Sequence, residues 1–218
     1  GHPARAIDIA KVCAQYNILL IEDAAESLGS LADGVHTGRN GRMGVLSFNG
    51  NKIITTGGGG ALITDDEVLA RKAKHCTTTA KQPHSWLFLH DEVGFNYRLP
   101  NLNAALGCAQ LEQLATYVEV KRKLALRYQE WFDAVENVKF VLEPVGARSN
   151  YWLNAILLAN RKDRNQFLQF TNDTGVMTRP MWTPMHTLPI YQNCQRGDLS
   201  IAEDIEERLV NIPSSVTE

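Results

Sequence analysis

The chain has no apolar run approaching the roughly 20 residues that span a bilayer, and no basic region followed by an apolar one near its start. Neither insertion nor export is therefore expected, and the expected address is the cytoplasm. Basic excess is lacking too: a formal net charge of -2 argues against a surface that tracks phosphate backbones. The densest basic stretch, Lys121, Arg122 and Lys123 followed by Arg127, reads as the solvated face of a long helix. Cysteine is sparse, with Cys13, Cys76, Cys108 and Cys194 scattered and no C-x-x-C pair. That predicts reduced, mostly buried thiols, not zinc or a disulfide framework. His36, His75, His84 and His90 show no H-E-x-x-H or paired carboxylate spacing, so no metal is expected. Repeats and low-complexity segments are absent. The run Gly57 to Gly60 lacks the Gly-Lys-Ser/Thr ending of a nucleotide P-loop, which argues against ATP binding. Asn172-Asp173-Thr174 matches a glycosylation sequon that has no consequence in a cytoplasmic chain.

What is present is an ordinary globular composition, 44% hydrophobic and 21% charged over 218 residues, enough for one domain or a domain with a smaller appendage. Apolar positions at Ile7, Ile9, Ala10, Val12 and Cys13 predict a helix over Ala4 to Tyr16. It leads into the apolar run Asn17 to Ile21, which reads as a strand buried on both faces. Val45 to Asn49 and Ala61 to Thr64 are further strands, and Asp65-Asp66-Glu67 opens a helix with an acidic first turn. Helix formers from Asn103 to about Glu136 predict one long helix linking two domains, placing a boundary near Asn137. Beyond it, strands over Val138 to Leu142 and Tyr151 to Leu158, with helices over Asp163 to Asn172 and Ile201 to Val210, predict an α+β appendage.

Two segments carry chemistry. Ser47 to Gly60 sets Lys52 between a strand-like run and a glycine run, the setting in which a lysine amine forms a covalent imine with a carbonyl cofactor. Alone, the segment reads first as a glycine-rich turn beside a surface lysine. Upstream, Glu22-Asp23-Ala24-Ala25-Glu26 follows the first apolar run, at the strand end where open α/β sheets bind ligands. Asp23 there suits either a pyridine nitrogen or the N-cap of a helix.

In this order and separation, Ile21-Glu22-Asp23-Ala24-Ala25-Glu26-Ser27-Leu28-Gly29, Gly44-Val45-Leu46-Ser47-Phe48 with Lys52, and Gly94-Phe95-Asn96-Tyr97-Arg98 resemble the DegT/DnrJ/EryC1/StrS-type sugar aminotransferases. These are pyridoxal phosphate (PLP) enzymes of the aspartate-aminotransferase fold. Arg179-Pro180-Met181-Trp182 with His186 and Pro189-Ile190-Tyr191 is similar to the family's small domain.

The resemblance implies an α/β fold: residues 1–136 as the C-terminal part of a PLP-transferase type I large domain, with a mixed, mostly parallel sheet, and residues 137–218 as a small α+β domain. Family members are nearly twice this long, so the chain is expected to be the C-terminal portion of a longer protein. By the same resemblance, Lys52 holds PLP and moves protons, and Asp23 faces the ring nitrogen. Glu26, where many relatives have glutamine, faces the ring hydroxyl, and Ser47 faces the phosphate. Asn96 reaches the phosphate of a partner chain in a homodimer with shared sites, while Arg179, Trp182 and His186 face the substrate. The implied reaction passes an amine from glutamate to a nucleotide-linked 4-keto-6-deoxy sugar, on a route to a surface polysaccharide or glycan. Family sugar dehydratases carry histidine in place of the lysine, so Lys52 argues against that activity. A non-catalytic fragment that keeps the dimer surface is the rival reading.

Overall fold

The structure is a computed structural model and describes residues 1–216. Its elements are, in order, α1 (Ala6–Gln15), β1 (Ile21–Asp23), β2 (Leu31–Ala32), β3 (Val35–His36), β4 (Met43–Ser47), β5 (Gly60–Ile63), α2 (Glu67–Thr77) and α3 (Asn101–Phe132). They continue with β6 (Lys139–Phe140), β7 (Ala147–Arg148), β8 (Asn154–Leu157), α4 (Arg161–Asp173), β9 (Arg179–Pro180), α5 (Ser200–Arg208) and β10 (Leu209–Ile212). The chain divides into two compact units, Gly1–Glu119 with Glu143–Trp152, and Val120–Leu142 with Leu153–Glu218. The division passes through α3, and residues 143–152 return to the first unit.

In the first unit, β4 lies between β1 and β5, parallel to β1 (Asp23 opposite Val45) and antiparallel to β5 (Ser47 opposite Gly60). Ala24, Leu28, Leu46, Phe48 and Ile54 form the core, with Ile63, Leu114 and Tyr117 packed against it. The middle strand also meets a loop: a Cβ on Gly44 would lie 2.3 Å from the carbonyl oxygen of Gly38, so only glycine fits there. Glu22 ties down that loop, accepting the backbone N–H of Gly38 at 3.0 Å and of Gly41 at 2.6 Å. A second small sheet pairs β2 with β3 and with β7, the strand brought back from residues 147–148. Asp66 caps α2, its Oδ1 accepting the N–H groups of Val68 and Leu69.

In the second unit the sheet order is β6-β8-β10-β9, antiparallel throughout. Ile156 and Val210, each 0% exposed, lie at its centre, and Phe132 and Phe140 stack beside them. Asn160 caps α4 by accepting the N–H of Asp163 at 3.0 Å.

The structure corrects several expectations. The run Asn17 to Ile21 is not a strand buried on both faces. Asn17 adopts φ +52 and Ile18 N–H returns to the Cys13 carbonyl, so these residues finish α1. The strand starts only at Ile21 and, among the described residues, pairs with β4 alone, leaving Ile18, Leu19 and Ile21 more than half exposed. Lys121 is not on a solvated face: it shares the buried stripe of α3 with Ala125 and Phe132 and is 6% exposed. The cysteines are not mostly buried, since Cys13 and Cys76 are half-buried and Cys108 and Cys194 are exposed, away from the packed stripes. Tyr151 has φ +46, incompatible with extended backbone, so β8 begins at Asn154. The helix expected to reach Val210 ends at Arg208, where β-branched Val210 and Ile212 enter β10.

Candidate active site

Parallel pairing brings the carboxyl ends of β1 and β4 side by side, with Asp23 the last residue of one and Ser47 the last of the other. Each side chain starts a turn: Asp23 Oδ1 accepts the N–H of Ala25 at 3.1 Å, and Ser47 Oγ accepts that of Asn49 at 3.3 Å. Asp23 is thus placed at the strand end without capping a helix.

The loop after β4 is closed at both ends. Lys52 N–H donates to the Asn49 carbonyl at 3.0 Å, and Thr56 N–H returns to the Phe48 carbonyl at 3.0 Å. Ile54 and Thr56 are each 1% exposed and anchor the loop in the core. Lys52 is therefore held by a fixed backbone, and its side chain is 11% exposed. Its Nζ forms an ion pair with Glu26 Oε1, from the loop after β1. The hairpin then turns through Gly57 and Gly59, both at positive φ, and a Cβ on Gly59 would strike Leu99 at 2.7 Å.

Sequence reasoning missed the third wall. Trp152 presents its ring to Lys52, with Nζ 4.6 Å from the ring centroid, and its indole N–H donates to the Asn51 carbonyl at 2.6 Å. Asn150, 0% exposed, donates through Nδ2 to the carbonyls of Glu26 (3.1 Å) and Leu28 (2.9 Å) and accepts the Trp152 N–H at 2.8 Å. Between them Tyr151 sits in the left-handed region, a conformation costing a non-glycine residue about 1–3 kcal/mol. The one local signal was the turn-forming pair Ser149-Asn150 ahead of two aromatics; the contact itself closes across nearly half the chain.

Asn96 is exposed and bridges Thr78 in antiparallel fashion, while Arg98 donates to the Thr78 carbonyl at 3.2 Å. Arg179, Trp182 and His186 belong to the second unit. There His186 meets Glu203 at 2.8 Å, Arg179 donates to the Thr178 carbonyl at 3.4 Å, and Trp182 is 61% exposed. His75 converges with Asp91 and Glu92, contacting Asp91 at 2.7 Å. Gln82 donates to Asp91 and Lys72 to Glu92, so both carboxylates already have donors. A groove of about 1110 Å³ along β5 and α2 is lined by none of Lys52, Glu26 and Trp152, so the site is assigned by its donor set and not by volume.

An amine, two carboxylates and a hydroxyl at or just after adjacent strand ends of a mixed α/β sheet are groups that suit a phosphorylated carbonyl cofactor: a nucleophile, acidic partners for the polar atoms of a ring and a hydrogen-bond donor to a phosphate. The residues present fit such a group. Residues 1–217 match the DegT/DnrJ/EryC1/StrS aminotransferase family, and the chain belongs to it. It is 38% identical over 218 residues to EpsN of Bacillus subtilis, covering 98% of this chain and 56% of that one. To the GDP-perosamine synthase of Escherichia coli O157:H7 it is 35% identical over 214 residues, covering 98% and 58%. The crystal structure of the aminotransferase TlmJ from Streptoalloteichus hindustanus superimposes with a TM-score of 0.92 at 28% identity, over 99% of this chain and 58% of that one. The chain thus spans little more than half the length of the relatives it matches.

Proposed function

We propose that this chain is the lysine-bearing part of a PLP-dependent aminotransferase that carries an amine from glutamate to a nucleotide-linked 4-keto-6-deoxy sugar in glycan biosynthesis. The observation that carries the reading is Lys52, 11% exposed and paired with Glu26, beside the strand ends that present Asp23 and Ser47. Family membership and the similarity to GDP-perosamine synthase support the sugar substrate.

Bound there, PLP supplies an electron sink for negative charge at a substrate carbon. The chain's own residues divide the remaining work. Lys52 would hold the cofactor through its amine and would hold and move a proton at Nζ. Asp23 would offer a carboxylate to the ring nitrogen, Glu26 would serve the ring hydroxyl, and Ser47 would donate its hydroxyl to the phosphate. Asn96 is exposed, as a residue serving the partner's phosphate in a homodimer must be in a single chain. Arg179 and the exposed Trp182 offer cationic and aromatic groups for a nucleotide diphosphate sugar, with His186 at the same edge. A cytoplasmic address is part of this reading; among the described residues no helix is long and apolar enough to cross a membrane.

A second reading is favoured by the coverage of 56 to 58% of the relatives and by the exposed apolar residues beside β1: the chain is a non-catalytic scaffold that keeps the dimer surface. One experiment separates them. The purified chain is mixed with PLP, its absorbance recorded, then reduced with borohydride and mapped by mass spectrometry. An adduct on Lys52 that disappears in Lys52→Ala is expected. A folded chain with no adduct establishes the scaffold instead.

A further inference from the structure

Resting on the reading of Lys52 as the cofactor lysine, we infer that Trp152 is the positioning residue of its amine, delivered by Asn150 and the turn at Tyr151. Three independent features converge on it. The ring face lies within cation–π range of Nζ, at 4.6 Å. The indole N–H binds the Asn51 carbonyl at 2.6 Å, so the same side chain fixes the backbone immediately before the lysine. The route to this position is built: Asn150 is wholly buried, and its amide links Glu26, the amine's other partner, to the backbone of Trp152.

Tyr151 holds φ +46, a conformation that a large side chain keeps only where its surroundings enforce it. Tyr151 is 4% exposed, and its hydroxyl accepts the N–H of Glu143 at 3.2 Å. Local strain is retained here, and its effect is to leave the path of a strand so that Trp152 faces Lys52. The amine is thus held between a carboxylate that binds its charge and a ring that limits its rotation. Glu26 supplies the attraction; Trp152 supplies the direction.

The test uses the whole chain and reads the amine without any cofactor. Lysines are methylated with formaldehyde and a borane reductant, and each rate is followed by mass spectrometry in the wild type, Trp152→Leu, Trp152→Phe and Tyr151→Gly. Lys11, whose side chain is 70% exposed, serves as the internal reference. Expected is slow labelling of Lys52 in the wild type and a rise of roughly five- to thirtyfold in Trp152→Leu, the factor set by loss of a cation–π contact to an amine largely withdrawn from water. Lys11 should stay unchanged, and Trp152→Phe, which keeps a ring but loses the bond to Asn51, should fall between. Tyr151→Gly should loosen Lys52 as well, although it relieves backbone strain. An unchanged Lys52 rate in Trp152→Leu overturns the inference, as does an equal rise at Lys11. If the leucine variant does not fold, the phenylalanine variant decides by the same two criteria.

A second arm separates this inference from the functional reading beneath it. PLP with borohydride should label Lys52 ahead of the other lysines in the wild type and lose that preference in Trp152→Leu. Wild type without label at Lys52 removes the functional reading and this inference together. Label with equal preference in both proteins removes this inference alone.

Discussion

Lys121→Met removes an amine that the second unit holds in an unfavourable place. Lys121 is 6% exposed on the packed stripe of α3, and its Nζ donates to the Ser214 carbonyl. Burial pushes its pKa from 10.5 down to about 8. At about 1.36 kcal/mol per pH unit, the protonated form is roughly 3 kcal/mol less favourable in the fold than in the unfolded chain. The sign follows from proton counting. Below pH 8 both states keep the proton and the cost is constant. Between pH 8 and 10.5 the native chain has released a proton that the unfolded chain still binds, so stability rises with pH. Above that window both forms are neutral and the curve is flat. Urea unfolding of wild type and Lys121→Met, followed by circular dichroism from about pH 7.5 to 10.5, isolates this residue because the other titrations cancel in the difference. The wild type should gain on the variant by about 3 kcal/mol across the window. At neutral pH the two should lie closer, because methionine relieves the buried charge while leaving the Ser214 carbonyl without its donor. A difference that stays flat, or falls, between pH 8 and 10.5 refutes the assignment of a buried, readily deprotonated amine.

Ile156→Ala, at a position 0% exposed in the second sheet, should cost about 2–5 kcal/mol in urea unfolding; a loss under about 1 kcal/mol would place the core elsewhere. Glu22→Ala strips the acceptor from the N–H groups of Gly38 and Gly41 and should destabilise the first unit by about 2–3 kcal/mol, with Glu22→Gln intermediate. An alanine variant as stable as wild type would show that the loop is held by other contacts. Asp66→Ala uncaps α2. The N–H of Leu69, then that of Val68, holds the Asp66 carboxyl below its usual 3.8, so its contribution is present above that pH and is lost as the pH falls through the lowered value. Melting curves of the two proteins should differ at neutral pH and merge in acid, and a pH-independent gap contradicts the cap.

Much of the architecture was legible because it is written locally. The helix expected from Ala4 to Tyr16 is α1, the long helix from Asn103 is α3, and the strands around Val45 and Ala61 are β4 and β5. Each follows from a periodicity that neighbouring residues share, independent of what packs outside. The places of Lys52 and Asp23 in the fold were legible for a related reason: strand-end and post-strand positions can be counted along the chain. Where the sequence misled, a helix end or the final packing had overruled the apolar pattern. The apolar run Asn17 to Ile21 looks like a buried strand, yet the helix cap takes its first residues and the rest stays exposed. Lys121 looks solvated because lysine almost always is, and only the stripe it shares with Ala125 and Phe132 puts it inside.

The sequence by itself determined which chemical groups the chain carries and in what order they leave the strands: a carboxylate after β1, then a hydroxyl and an amine after β4. It also determined most of the helices and strands that carry them. Only the tertiary structure decided what surrounds the amine. Parallel pairing of β1 with β4 set Glu26 against Lys52, and the return of residues 143–152 to the first unit brought Trp152 and Asn150 to the same place. The reason is that backbone preference and hydrophobic period act over a few residues, whereas a contact between Lys52 and Trp152 exists only once both loops have been fixed by partners far along the chain.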